Sequence, residues 1–256
     1  MSAYTVFAFY YDALTKNVDY RGRADYLCRL LEYLGHCPGI TLDLACGTGS
    51  LTLELARRGW DVYGIDGSME MLSVAKQKAS DAGMDLLFLC QKMQRIDLYG
   101  TVDTVVCALD SINHLTSEKD VQDTFQRVSL FLAPGGYFIF DLNTPYKHRE
   151  VLGNEIFLYD TDEVFCAWQN HYDPKTLRTR IVLDFFGRDG EIYHRATEQF
   201  YERAYPLEQI REWLNQAGLE LTAVYGDQTF SAPSEKEERV VVVAHKANQK
   251  VALSGN

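Results

Sequence analysis

The chain has 256 residues, of which 46% are hydrophobic, and a formal net charge of −11. That length and apolar content can support the core of one large domain, and the excess of acidic residues argues against a surface that binds nucleic acid. No segment has the order of a signal peptide or the apolar length of a membrane span, so we expect a cytoplasmic protein that does not bind membranes.

The cysteines give no sign of a structural cross-link. All six are scattered along the chain without a C-x-x-C pair, and several lie in apolar runs, where free thiols pack well. We therefore predict neither a disulfide framework nor a zinc site, and we predict no other metal site.

The amino-terminal segment contains no predicted strand. Residues 1–25 are rich in Tyr and Phe, and an amphipathic helix is predicted from Tyr26 to Leu34. Because this segment belongs to no strand, we expect it to lie over the core of the protein.

Apolar runs of strand length alternate with helical patterns from Ile40 to Asn143. The runs cover Ile40–Leu44, Val62–Ile65, Leu86–Cys90, Val102–Leu109 and Tyr137–Leu142. Continuous runs are typical of strands covered on both faces, as in a parallel sheet. Ser68 is predicted to cap one intervening helix, and Ser117 with Asp120 has the spacing of a capping box. The alternation predicts an α/β, doubly wound domain.

The pattern changes after Asn143, where partly alternating segments are joined by Asp-Pro and Gly-Arg-Asp-Gly turns. These segments cover residues 163–172, 179–186 and 192–203. They predict an inserted antiparallel β meander, after which the α/β pattern resumes with a helix and two strands. The predicted core covers residues 40–145 and 205–246, and the predicted insertion covers residues 146–204.

The stretch LDLACGTGS places Gly47 and Gly49 directly after the first apolar run. Glycines at this spacing let the backbone turn sharply and approach a ligand closely. Asp66 ends the next predicted strand, 19 residues beyond Gly47, and an acidic residue at about that spacing binds the hydroxyls of a ribose. Together these residues predict a ribose-bearing ligand at the carboxyl edge of the sheet.

A nicotinamide dinucleotide is one candidate for this ligand. However, Thr52 replaces the third glycine of the dinucleotide-binding pattern, and the carboxylate of Asp43 would repel a pyrophosphate. A ligand with an ammonium or sulfonium centre suits the loop better. An NAD(P)-dependent oxidoreductase is therefore the less favoured alternative.

Four segments in order resemble motifs of the class I S-adenosylmethionine-dependent methyltransferases, in a bacterial small-molecule branch. They are LDLACGTGS, VYGIDGS, VDTVVCALDSINHL and LAPGGYFIFDLN. The resemblance implies a Rossmann-like, mostly parallel seven-stranded sheet, a helical lid at residues 1–39 and a substrate cap formed by the insertion. It also implies methyl transfer from S-adenosylmethionine to an N or O nucleophile of a small molecule, giving S-adenosylhomocysteine.

The resemblance also implies which residues bind the cofactor. They are Tyr20, Asp43, Ala45, Cys46, Gly47, Gly49, Asp66, Gly67, Met71, Lys92, Met93, Ala108 and Leu109. Asp66 matches the residue that holds both ribose hydroxyls, and Asp43 either meets the cofactor ammonium or is a structural cap. Lys92 stands where the family has an acidic residue. Because a lysine cannot accept a hydrogen bond from the adenine amino group, we expect it to face solvent.

Asp110 and His114 are the candidate catalytic residues. Asp110 matches a position that faces the sulfonium or the substrate, although it could simply initiate a turn. His114 could remove a proton if the acceptor binds in a protonated form, or it could be a loop histidine with a hydrogen-bonding role. The aromatic side chains of the insertion fit either a cap over the substrate or a subunit interface, which leaves a homodimer open. A non-catalytic protein that binds S-adenosylmethionine or S-adenosylhomocysteine is a further alternative.

Overall fold

The strands of this protein form two separate sheets. The structure, a computed structural model, describes residues 7–248. Within that range the strands are β1 (Ile40–Leu44), β2 (Asp61–Asp66), β3 (Phe88–Cys90), β4 (Val102–Cys107), β5 (Leu132–Asn143), β6 (Ile156–Asp160), β7 (Val164–Asp173), β8 (Arg178–Asp189), β9 (Ile192–Arg203), β10 (Glu220–Gly226) and β11 (Arg239–His245). The helices are α1 (Phe7–Leu14), α2 (Tyr20–Tyr33), α3 (Ser50–Arg57), α4 (Met69–Asp81), α5 (Glu118–Phe131) and α6 (Leu207–Gln216). Short helical turns cover Met93–Arg95, Ser111–His114 and Lys147–Leu152.

The larger sheet is mostly parallel and has seven strands in the order β10-β11-β5-β4-β1-β2-β3. β1 pairs in parallel with both β2 and β4, so that Asp43 lies beside Gly64 on one side and Val106 on the other. β11 runs antiparallel to both of its neighbours, β5 and β10. The predicted Rossmann-like, doubly wound α/β fold is confirmed.

Apolar side chains cover both faces of this sheet. Leu42 and Phe138 belong to a buried cluster with α5 and α6 on one face, whereas Val106 and Ile139 belong to a cluster with α2 and α3 on the other. Fully burying one such side chain contributes about 1.5–3 kcal/mol. Cover on both faces is the physical reason for the continuous apolar runs in the sequence.

The two predicted helix caps behave differently. The backbone N–H of Met71 donates to the Ser68 hydroxyl at 3.2 Å, so Ser68 caps α4 as expected. The side chain of Ser117, by contrast, makes no capping hydrogen bond to α5. The N–H of Asp120 donates instead to the backbone carbonyl of Ser117 at 3.1 Å, so the predicted capping box is wrong.

The second sheet is antiparallel and has the order β6-β7-β8-β9. Its last three strands correspond to the predicted meander, and β6 was not predicted. β6 is an edge strand whose side chains are exposed or half-buried, with Ile156 and Leu158 both exposed. Its apolar run covers only residues 156–159, and the alternating exposed and half-buried positions along the strand are not matched by alternating polar and apolar residues.

Two helices, α1 and α2, precede the larger sheet. The ring of Phe7 in α1 lies 6.1 Å from that of Phe185 and 6.0 Å from that of Phe200, so α1 packs on the smaller sheet. The helix expected from Tyr26 begins earlier, at Tyr20, because Asp19 accepts a hydrogen bond from the N–H of Gly22 at 2.9 Å and caps it. Among the described residues, no helix combines the length and apolar character that crossing a bilayer requires.

Candidate functional site

A cavity of about 550 Å³ opens where the carboxyl ends of β1, β2 and β4 meet, and this volume is within the range of small-molecule sites. Most of the predicted site residues line it, namely Tyr20, Asp43, Ala45, Cys46, Gly47, Asp66, Gly67, Met71, Lys92, Met93, Ala108, Leu109 and His114. Gly49 and Asp110 are not among the lining residues. The fold therefore brings most of the candidates together, and their individual roles stay predictions.

The two loop glycines have different surroundings. Gly47 has a φ of +54°, and a Cβ built on it would meet no described atom within 4 Å, so its open side leaves room for a ligand. Gly49 has a φ of +73°, and a Cβ there would lie 2.9 Å from the Cβ of Ala75 in α4. Close packing against α4 thus requires Gly49, whereas Gly47 leaves space at the cavity.

Asp66 holds the glycine loop and the start of α4 together. One of its carboxylate oxygens accepts the N–H of Gly47 at 2.9 Å, and the other accepts the N–H of Ser68 at 2.8 Å. Burial raises the pKa of Asp66, and these backbone donors partly offset that rise. Asp66 therefore sets the shape of the loop and also lines the cavity.

Asp43 is 2% exposed and lies at the base of the cavity. Its carboxylate accepts the hydroxyl of Thr52 at 2.6 Å, and burial raises its pKa to about 7. Thr52, which stands in place of the third glycine, is thus a buried hydrogen-bond donor to Asp43. This contact explains why the dinucleotide-binding glycine pattern is interrupted at that position.

Three residues other than glycine hold left-handed backbone at this edge of the sheet. They are Ala45, with a φ of 61°, Leu109, with 58°, and Asp110, with 52°. Ala45 follows β1, and the other two lie beyond the end of β4. A left-handed residue with a side chain costs free energy, and such residues persist where the surroundings impose them, commonly at functional sites.

We expect Ala45→Gly to raise the free energy of unfolding by roughly 0.5–1 kcal/mol. Relief of left-handed strain is worth about 1–2 kcal/mol, and the lost methyl contact subtracts about 0.8 kcal/mol. Denaturant unfolding of the two proteins measures the difference. Ala79→Gly, inside α4, is the matched control and should lose about 1 kcal/mol or more. A loss at both positions would show that the Ala45 backbone is not strained.

The amino-terminal helices close one side of the cavity. Tyr11 of α1 and Tyr20, the first residue of α2, both line it. The Asp12 carboxylate accepts the hydroxyl of Thr48 at 2.7 Å and the ammonium of Lys78 at 2.7 Å. These bonds join α1 to the glycine loop and to α4. Lys92, which also lines the cavity, is exposed, as expected.

The carboxylate of Asp110 is paired with Arg239, a contact that the sequence did not predict. Its Oδ1 accepts the guanidinium of Arg239 at 2.5 Å. Burial opposes ionisation of Asp110, but the charges of Arg239, His114 and Lys147 outweigh it and lower the pKa of Asp110 to about 2. Asp110 is therefore ionised at neutral pH, and its contact with a sulfonium or substrate stays a prediction.

His114 lines the cavity and lies close to a buried carboxylate. Its Nε2 is 3.8 Å from Oε1 of Glu202, on β9. Burial lowers the pKa of His114, and the nearby charges of Asp110 and Asp66 offset this only in part. The imidazole is thus neutral near pH 7, which is the form that can accept a proton.

Three charged residues behind the cavity were missed in the sequence, namely Asp141, Glu202 and Arg239. Asp141 lies two residues before the carboxyl end of β5, and the rule that identified Asp66, an acidic residue at the carboxyl end of a parallel strand, could have found it. Glu202 and Arg239 lie on antiparallel strands, where a single charged residue carries no distinctive local pattern. Their importance follows from their neighbours in space.

Comparisons with known proteins agree with this geometry. A family described as "Methyltransferase domain" matches residues 41–136. YqeM of Bacillus subtilis (strain 168), a methyltransferase by name, is 36% identical over 245 residues, which is 95% of this chain and 97% of YqeM. A crystallised S-adenosylmethionine-dependent methyltransferase from Clostridium acetobutylicum ATCC 824 is 34% identical, with a TM-score of 0.86 over 96% of this chain and 99% of that one.

A third protein extends the likeness in fold. CalS10 from Micromonospora echinaspora, an amino pentose methyltransferase solved with S-adenosylmethionine bound, is 20% identical, with a TM-score of 0.74 over 93% of this chain and 96% of its own. The near full-length matches to YqeM and to the Clostridium enzyme establish the family and the cofactor. This chain belongs to the class I S-adenosylmethionine-dependent methyltransferases.

Proposed function

We propose that this enzyme transfers the methyl group to an N or O nucleophile of a small-molecule acceptor. The observation that carries the proposal is that the glycine loop, Asp66 and the imidazole of His114 all line one cavity. A small acceptor fits a cavity of about 550 Å³ beside the cofactor. CalS10, whose fold this chain shares, acts on an amino pentose, which supports a small metabolite as the acceptor.

The cavity residues fit the cofactor. The open side of Gly47 leaves space against the loop backbone, and we assign the carboxylate of Asp66 to the ribose hydroxyls. Tyr20, Met71 and Met93 also line the cavity, and we assign the two methionines to the adenine and Tyr20 to the lid over the cofactor. Bound S-adenosylmethionine supplies an electrophilic methyl group on a sulfonium. The chain itself positions the nucleophile and takes up any proton that the acceptor loses.

We further propose a role for each segment of the chain. Residues 1–39 are assigned as a lid over the cofactor, although residues 1–6 of that range lie outside the described residues. Residues 40–145 and 205–246 form the cofactor-binding core, and residues 146–204 cap the acceptor. The contact between α1 and the smaller sheet, through Phe7 and Phe185, supports a lid and cap that close together. The alternative is that the outer face of the cap forms the interface of a homodimer. Sedimentation of the purified chain measures its oligomeric state and so tests this alternative.

Calorimetric titration with S-adenosylmethionine, S-adenosylhomocysteine and NADH is the first test, followed by a screen of small amines and alcohols for uptake of labelled methyl. We expect saturable heats from the first two ligands alone and label on at least one small acceptor. Cofactor binding with label on no small molecule would point to a non-catalytic binding protein or to a macromolecular acceptor. Binding of NADH alone would favour the oxidoreductase.

We expect the affinity for S-adenosylmethionine to increase with pH through the ionisation of Asp43. The pKa of Asp43 is about 7, and the anion formed above it attracts the cofactor ammonium. Calorimetry from roughly pH 6 to roughly pH 7.5 measures the slope, and Asp43→Asn, which retains an acceptor for Thr52, should flatten it. An equal slope in both proteins would mean that Asp43 is only a structural cap.

A further inference from the structure

One buried side chain fixes the turn that carries His114 to the smaller sheet. Asn113 is fully buried, and its amide nitrogen donates to the carbonyl of Arg203 at 2.9 Å and to that of Asn143 at 3.1 Å. Its amide oxygen accepts the N–H of Asn143 at 3.0 Å. Because Asn113 precedes His114 and Arg203 follows Glu202, the amide holds these two neighbours close to each other.

Glu202 lies between two imidazoles. Its carboxyl is almost fully buried, with Oε1 3.8 Å from Nε2 of His114 and Oε2 3.8 Å from Nε2 of His148. Asn143 donates to Oε2 at 3.4 Å. His114 is at the cavity wall, whereas Glu202 and His148 are not among the residues that line the cavity. A row of titratable groups therefore runs from the cavity into the junction between the two sheets.

Only one of the two ring nitrogens of His148 has a hydrogen-bond partner among the described residues. It is fully buried, and its Nδ1 lies 2.8 Å from the hydroxyl of Thr179 on β8. Its Nε2, which faces Glu202, has no hydrogen-bond partner among residues 7–248. A buried polar atom without a partner is costly, and a small rotation of either side chain would join it to Glu202.

The charges around Glu202 oppose one another. Burial is the largest influence and, with the charge of Asp110 in the loop after β4, raises the pKa of Glu202 to about 8, against the hydrogen bond from Asn143 and the charges of Lys147 and Arg239, which lower it. Burial likewise lowers the pKa of His148 to about 4. Near neutral pH, Glu202 therefore carries a proton that it can donate to either imidazole.

We propose that Glu202 is a positioning residue that selects the tautomer of His114 and thereby decides whether His114 can act as a base. The proposal rests on the proposed function, in which an acceptor binds beside His114. A small side-chain rotation that closes the 3.8 Å gap lets the protonated carboxyl donate to Nε2 of His114, which leaves the ring hydrogen on Nδ1. The ionised carboxylate accepts Nε2–H instead, and the lone pair then lies on Nδ1. A partner on one ring nitrogen sets the state of the other in this way in many histidine sites.

The proton balance of the reaction follows from this arrangement. The acceptor atom uses its own lone pair to bond the methyl carbon, and the methyl–sulfur bond breaks with its electron pair left on sulfur. The N–H or O–H proton of the acceptor passes to Nδ1 of His114. The resulting imidazolium is balanced by the Glu202 carboxylate, and the proton leaves to solvent before the next turnover.

Nitrogen NMR of the full chain labelled at histidine tests the proposal without an acceptor. His114→Asn assigns the His114 signals. We expect the wild-type His114 to change from the Nδ1–H to the Nε2–H tautomer with a midpoint near pH 8, and Glu202→Gln should remove the transition. Glu191→Gln, which changes an exposed carboxyl in the turn after β8, is the matched control and should behave as wild type.

Three results would overturn the proposal. They are a His114 tautomer that is constant with pH in the wild type, a transition that persists in Glu202→Gln, and a transition that disappears when a chelator is added. The last would indicate a metal ion, because donor atoms of Asp110, His114 and Glu202 lie within 4.8 Å of one another. If Glu202→Gln does not fold, Glu202→Asp should retain the transition with a shifted midpoint.

A methylation assay distinguishes a failure of this proposal from a failure of the proposed function. With an acceptor that takes up label, the wild-type rate should increase through pH 8 in step with the NMR transition, and Glu202→Gln should lose that increase while cofactor affinity stays within about twofold. A chain that methylates no small molecule would overturn the proposed function, yet the tautomer transition would still be observed. A rate profile unchanged in Glu202→Gln would overturn the role of Glu202 alone.

Discussion

Asp66→Ala should weaken the binding of S-adenosylmethionine by about 2–4 kcal/mol, which is roughly 30-fold to 1000-fold in Kd. Hydrogen bonds to a charged group contribute about 1.5–3 kcal/mol each, and we assign two ribose hydroxyls to this carboxylate. Asp66 also accepts the N–H groups of Gly47 and Ser68. Its loss therefore loosens the glycine loop as well, which adds to the cost of binding.

Calorimetry with S-adenosylmethionine and S-adenosylhomocysteine measures this loss. Asp61→Ala is the matched control, because Asp61 begins the same strand, β2, and is exposed at the opposite edge of the sheet. It should leave both affinities unchanged. If Asp66→Ala also binds as the wild type does, the ribose is held elsewhere and the assignment of this carboxylate is wrong.

Asp141→Ala should lower the free energy of unfolding by about 3–5 kcal/mol, the typical cost of removing one partner from a buried ion pair. Asp141 is 3% exposed and accepts Arg239 at 2.9 Å and Arg23 at 3.2 Å. It also accepts the backbone N–H groups of Leu109 at 2.9 Å and of Asp110 at 2.5 Å. Its loss leaves two guanidinium groups short of a partner and releases the strained turn after β4.

Denaturant unfolding measures the effect, and Asp97→Ala is its control. The carboxylate of Asp97 is 85% exposed and lies 3.4 Å from Arg127, and exposed ion pairs of this kind contribute about 0–1 kcal/mol. We expect the second variant to unfold nearly as the wild type does. If both variants lose a similarly small free energy of unfolding, the ion pairs of Arg23 with Asp227 and of Arg239 with Asp110 suffice to stabilise the two guanidinium groups without Asp141.

Features that follow from patterns along the sequence were predictable. The apolar runs predicted the strands of the larger sheet within a few residues, because a strand covered on both faces must be apolar throughout. Gly47 and Asp66 were identified together because successive parallel strands end at the same edge of a sheet. The structure confirms that edge, with the N–H of Gly47 bonded to Asp66 at 2.9 Å.

The sequence did not predict helix α1 or strand β6, because neither has a strong local pattern. β6 is an edge strand with exposed side chains, and α1 is a short helix whose aromatic residues have no regular spacing that separates core from solvent. Each of these elements is stabilised by contacts with distant segments, such as that of Phe7 with Phe200. Local pattern carries little information about an element of this kind.

The sequence by itself determined the α/β alternation, the glycine loop with its acidic partner and, through its motifs, the family. Only the tertiary structure decided which charges meet behind the cavity. Asp110 and Arg239 are 129 positions apart, and Asn113 and Arg203 are 90 positions apart, so no local spacing relates them. The physical reason is that the pKa of a buried group, and the tautomer of a histidine, depend on burial and on neighbours within a few ångströms. For His114 those neighbours are Asp110, Asp66 and Glu202, which the fold brings together from the loop after β4, the end of β2 and β9.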